Sequence, residues 1–104
     1  MKFTIPLTTQ HIVNVMRECG YTPDGQDDKT GELRFFRKMS YGLFPKFHAY
    51  CWVPERYGTA TINLHLDQKA PSYRGSHAHS GEYDGDLIKT EAQRIENTAK
   101  NIQK

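Results

Sequence analysis

Two neighbouring segments alternate with a period of two, and together they constrain the fold more than any other feature of the chain. In Lys46 to Val53 the apolar set is Phe47, Ala49, Cys51 and Val53, which leaves Lys46, His48, Tyr50 and Trp52 on the other face. In Thr59 to Asp67 the apolar set is Ala60, Ile62, Leu64 and Leu66, opposite Thr59, Thr61, Asn63, His65 and Asp67. The intervening Pro-Glu-Arg-Tyr-Gly reads as a hairpin connection, so the strands are expected to pair antiparallel with their apolar faces matched. That sets Val53 against Ala60, Cys51 against Ile62, Ala49 against Leu64 and Phe47 against Leu66. On the other face Trp52 meets Thr61, Tyr50 meets Asn63, His48 meets His65 and Lys46 meets Asp67. A slip of two residues would keep the same faces.

A third strand is expected over Glu32 to Met39, with Leu33, Phe35 and Phe36 among charges. Thr8 to Gly20 reads as a short amphipathic helix: a threonine opens it, Ile12, Met16 and Cys19 share a face, and Gly20 sits where helices end in the left-handed conformation. Asp84 to Ile102 is the strongest helical stretch, with Ile88, Ala92, Ile95, Ala99 and Ile102 in one stripe and Asp84 or Asp86 as its cap. Tyr21 to Gly31 and Gln68 to Gly85 read as loops. The expected architecture is α+β, in the order α-β-β-β-α: a three-stranded antiparallel sheet with both helices on one face and the other face at least partly open.

At 104 residues the chain fits a single domain, 1–104, with no room for a second independent core. Its mean hydropathy of -0.76 and the lack of any long apolar run argue against a membrane span. Met1 to Thr9 lacks the apolar region of a signal peptide, so the expected location is the cytoplasm. A net charge of +2 does not demand a polyanionic partner. Cys19 and Cys51, far apart and each in an apolar stretch, read as buried, reduced thiols.

Four histidines lie in or just beyond the hairpin: His48, His65, His77 and His79. His65 and Asp67 point the same way from one strand, and His77-Ala78-His79 is followed by Glu82 and Asp84. Imidazole and carboxylate are ligands for zinc, manganese or nickel, so His48, His65, Asp67, His77 and His79 are the candidate divalent-metal ligands. A metal-bound water, with His65, His77, His79 and Glu82 as the catalytic candidates, would suit hydrolysis of a phosphodiester, with Lys69 or Arg74 neutralising its charge. The same residues also suit a metal-free histidine cluster. A third reading gives them ordinary partners: Asp67 paired with Lys46, His48 stacked on Tyr50 or Trp52, and His77 and His79 solvated.

The open face offers a second constellation. Phe36, Tyr50 and Trp52 lie among Arg34, Lys38 and Lys46, with Lys69 and Arg74 beyond, and from Glu32 to Arg74 seven Lys or Arg stand against three acids. Aromatics among cations on an exposed sheet suit stacked single-stranded RNA, and equally a homodimer interface or ordinary surface packing. No Gly-x-Gly-x-x-Gly, P-loop or nucleophile elbow is present.

The order of helix, three strands and helix resembles the double-stranded-RNA-binding fold. Within it, the first helix ending at Gly20-Tyr21 and the triplet Gly75-Ser76-His77 look like the HicA messenger-RNA interferase toxins. In that family the Gly-Ser-His lies on the first strand, whereas here it follows the third. The resemblance implies an RNA substrate and a catalytic histidine. Leu64 to Gly85 also looks like a stretch shared by small uncharacterised bacterial proteins.

Overall fold

The computed structural model describes residues 1–39, 45–67 and 80–104, with the side chains of the last stretch described from residue 85. Its elements are β1 (Lys2–Leu7), α1 (Ile12–Glu18), β2 (Thr22–Gln26), β3 (Leu33–Lys38), β4 (Lys46–Trp52), β5 (Gly58–Asp67) and α2 (Ser80–Ile102). The α+β class holds, but the expected α-β-β-β-α order of the double-stranded-RNA-binding fold is corrected to β-α-β-β-β-β-α, and the three-stranded sheet to five strands in the order β1-β5-β4-β3-β2, with every neighbouring pair antiparallel.

The central hairpin has the register that its apolar periodicity demands, from Lys46 opposite Asp67 to Trp52 opposite Thr61. Phe47, Ala49, Cys51, Ala60, Ile62 and Leu64 are all buried in one core. The imperfect alternation of β3 resolves by position: Phe35 enters the core, while Phe36 lies opposite His48 on the other face.

The two added strands come from segments with weak signals. β1 alternates Phe3, Ile5 and Leu7 toward the core and pairs along β5, with Pro6 opposite Thr59. Proline is tolerated there because β1 is an edge strand, where an absent N–H need not break the ladder. β2 is exposed throughout and closes the other edge as a hairpin with β3. Between Pro23–Phe35 and Gln26–Leu33, Asp24 and Gly25 stand against Arg34 alone, which is a β-bulge. Gly25 has φ +91, a backbone conformation that L side chains rarely adopt, so the bulge favours glycine there.

Both helices pack on the core face, contributing Ile12, Val15 and Met16 from α1 and Ala92, Ile95 and Ala99 from α2. The expected threonine cap of α1 is replaced by His11, whose Nδ1 accepts from the Val13 N–H at 3.3 Å. Thr8 and Thr9 instead donate their backbone N–H groups to Gln103 Oε1 at 2.7 and 3.3 Å, tying the start of the chain to the end of α2. At the other end of α1 the Gly20 N–H reaches Arg17 O and the Tyr21 N–H reaches Met16 O, both at 2.9 Å, which closes a Schellman turn and drops Tyr21 into the core. The second helix begins at Ser80, four residues before the expected Asp84, so the end of the expected Gln68–Gly85 loop is helical.

One buried carboxylate locks the layers together. Glu91, 4% exposed, accepts hydrogen bonds from Tyr21 Oη (2.7 Å), Arg37 Nε (3.0 Å) and Arg94 Nε (2.9 Å), while Arg94 Nη2 donates to Cys19 O at 2.5 Å. Burial alone would raise the Glu91 pKa, but the donors Arg94, Arg37 and Tyr21 outweigh it and hold the carboxyl at about 2. Burial, and then donation to Glu91, raises the Tyr21 phenol in turn.

Candidate functional site

The open face of the sheet is built in rows. Lys38, Lys46 and Asp67 form one; Phe36, His48 and His65 the next; then Arg34, Tyr50, Asn63 and Lys2; then Trp52, Thr61 and Thr4. With both helices on the core side, no helix among the described residues covers these rows.

At the centre stands His48. Its Nδ1 is hydrogen-bonded to Asp67 Oδ2, a carboxylate that lies diagonally across from it on β5. An ionised carboxylate only accepts, so Nδ1 carries the proton, and in the neutral ring Nε2 is the nitrogen with the lone pair. On the Nε2 side the bulge of β2 brings Asp24 Oδ2 to 3.7 Å, beyond hydrogen-bond length, on a side chain 51% exposed. The imidazole itself is only 18% exposed, so its orientation is set by the carboxylates and the neighbouring rings. Tyr50 lies beside it at 6.0 Å between ring centroids and meets His65 edge-on at 5.5 Å.

The structure therefore brings His48 and Asp67 into contact and sets His65 directly opposite His48 on the neighbouring strand. Of the other expected ligands, His77 and His79 lie outside the described residues, as do Lys69 and Arg74. Glu82 falls in the first turn of α2, where side chains are outside the description. Among the described residues no group of three His, Cys, Asp or Glu side chains is arranged to hold a metal ion. Asp67 bonds His48, and the Lys46 ammonium, opposite Asp67 on β4, lies 5.7 Å from the Phe36 ring centroid.

Arg34, Phe36, Lys38, Lys46, Tyr50 and Trp52 do share the open face, as their parity requires. Two members escaped the sequence reading. Lys2 needed β1 to be recognised as a strand, and Asp24 needed the bulge. Among strand residues on this face the cations Lys2, Arg34, Lys38 and Lys46 outnumber the carboxylates Asp24 and Asp67, both of which face His48.

The thiols lie on the core side. Cys19 and Cys51 are free and buried, and burial pushes the Cys51 thiol up to about 12 and raises Cys19 as well, which leaves neither as a ready nucleophile. Among the described residues no helix is long and apolar enough to cross a membrane.

No protein-family model matches this chain, and no curated protein matches it.

Proposed function

We propose that the open sheet face binds single-stranded RNA and that His48 and His65 move the protons of phosphodiester cleavage there. The observation that carries this reading is the bond from His48 Nδ1 to Asp67, which in the neutral ring leaves Nε2 as the proton acceptor, with Asp24 Oδ2 3.7 Å from it, on a strand face where cations outnumber carboxylates.

A histidine base acts most simply on a nucleophile that the substrate already carries. RNA supplies one in its 2′-hydroxyl. His48 Nε2 takes the 2′-hydroxyl proton as the 2′-oxygen attacks phosphorus; the bond from phosphorus to the 5′-oxygen breaks, and His65 donates a proton to that leaving oxygen. The products are a 2′,3′-cyclic phosphate and a 5′-hydroxyl. Asp67 keeps the His48 tautomer and stabilises the imidazolium that forms, while Lys38, Lys46 and Arg34 offset the charge on phosphate.

The test is incubation of the purified protein with end-labelled single-stranded RNA in excess chelator. Cleavage that survives the chelator and falls about 10²-fold or more in His48→Gln supports the reading. Cleavage that requires added zinc, manganese or nickel would transfer the chemistry to a metal and overturn the proton-transfer assignment.

A further inference from the structure

Strand β4 places a line of rings beside the acid–base pair. His48, Tyr50 and Trp52 alternate onto one face, with 6.0 Å between the His48 and Tyr50 ring centroids and about 6.8 Å per two-residue step of the strand, a spacing that an extended polynucleotide can match base by base. The line is asymmetric about His48. On one side stand Tyr50 and Trp52, and on the other the row of Lys38 and Lys46, which carries charge and no ring.

Trp52 is the outermost ring. It is 44% exposed, and its six-membered ring lies against Gly31 in the β2–β3 turn, where a Cβ would come within 3.1 Å of Cζ3. The glycine, at φ +79, gives the indole a backbone floor and leaves the rest of the ring accessible. Tyr50 is flanked by Arg34 on β3 and Asn63 on β5, a cation for a phosphate and an amide for a base edge.

We propose, building on the reading of His48 and His65 as an RNA-cleaving pair, that β4 measures its substrate. The strand runs along β4 with one base stacked on Tyr50 and the next on Trp52, and the scissile phosphate lies at His48. The substrate class is then single-stranded RNA with two unpaired nucleotides on one defined side of the cleaved bond. Paired RNA is excluded because its bases are stacked on each other and cannot reach the rings.

The experiment measures binding and cleavage separately. With His48→Gln, affinity for RNA oligonucleotides of one to six residues is read by fluorescence anisotropy; it should rise steeply up to three residues and level off. Adding Trp52→Ala should remove the last step, about ten-fold, and Trp52→Phe should restore most of it. Affinity that is indifferent to Trp52→Ala, or a Trp52→Ala effect explained by a changed sedimentation coefficient, would overturn the ruler even if the wild-type protein cleaves RNA. Conversely, length-dependent binding that needs Trp52, in a wild-type protein that leaves RNA intact, would uphold the ruler and remove the cleavage reading.

Discussion

Asp67, directly opposite Lys46 on β4, is bonded to the diagonal neighbour His48 through Nδ1. An opposite-charge pair on an exposed sheet contributes little, whereas a carboxylate on an imidazole fixes which ring nitrogen can act. The choice of partner turns a surface carboxylate into a positioning group.

Asp67→Asn should therefore leave the fold within about 1 kcal/mol of wild type while cutting RNA cleavage by roughly 10-fold to 100-fold, because an amide can donate to Nδ1 and trap the wrong tautomer. Thermal unfolding and initial cleavage rates, measured on the same preparation, separate the two effects.

Asp24 predicts the opposite sign. Its carboxylate lies 3.7 Å from His48 Nε2, where a phosphate anion would have to approach. Asp24→Asn should tighten RNA binding by about two-fold to five-fold, an effect that shrinks as salt rises because the repulsion is screened. Titrations at two ionic strengths read it.

If Lys2, Arg34, Lys38 and Lys46 all contact phosphate, the logarithm of the association constant should fall with the logarithm of salt concentration with a slope of about −3, and each single replacement by Gln should reduce the slope by about 0.7. A slope near zero would leave the face without a polyanionic ligand.

Glu91 links the fold to pH. Its carboxyl is lowered from 4.5 to about 2, so the folded state binds this proton less readily than the unfolded chain does. The stabilisation is fully present above the ordinary carboxyl range and is lost as pH falls from about 4.5 toward 2. It amounts to something on the order of 3 kcal/mol. Glu91→Gln should lose a comparable amount at neutral pH and show a flatter acid limb in chemical denaturation, with Arg37 and Arg94 left short of their acceptor.

Legibility in the sequence followed the strength of the local signal. The β4–β5 register could be read because both strands alternate cleanly, with Phe47, Ala49 and Cys51 of β4 and Ala60, Ile62, Leu64 and Leu66 of β5 on one face. β1 carries the same period in Phe3, Ile5 and Leu7, but Pro6 and the short length hid it, and only an edge position makes that proline harmless. β2 has no signal of its own: Thr-Pro-Asp-Gly-Gln is turn chemistry, held extended by its pairing with β3. The Glu91 cluster draws Tyr21 from the turn after α1, Arg37 from β3 and Arg94 from α2, and only the Glu91–Arg94 spacing was visible locally. Half of the candidate site was legible for the same reason as the hairpin, since His48, His65 and Asp67 follow from parity. Asp24 did not, because a bulge shifts parity by one.

The packing of β1 has its own check. Ile5 is 1% exposed and sits opposite Ala60. Ile5→Ala should cost about 2–5 kcal/mol, as a core truncation does, whereas a residue in a loose amino-terminal arm would cost nothing measurable in urea denaturation.

The central claim is that the His48–Asp67 pair and His65 transfer protons during RNA cleavage, and the chemistry of the product ends tests it most directly. Mass spectrometry of a single-stranded RNA cut by the wild-type protein in chelator should find 2′,3′-cyclic phosphate and 5′-hydroxyl ends, with both disappearing in His48→Gln. RNA that stays intact, or fragments ending in 3′-hydroxyl and 5′-phosphate, would contradict the account.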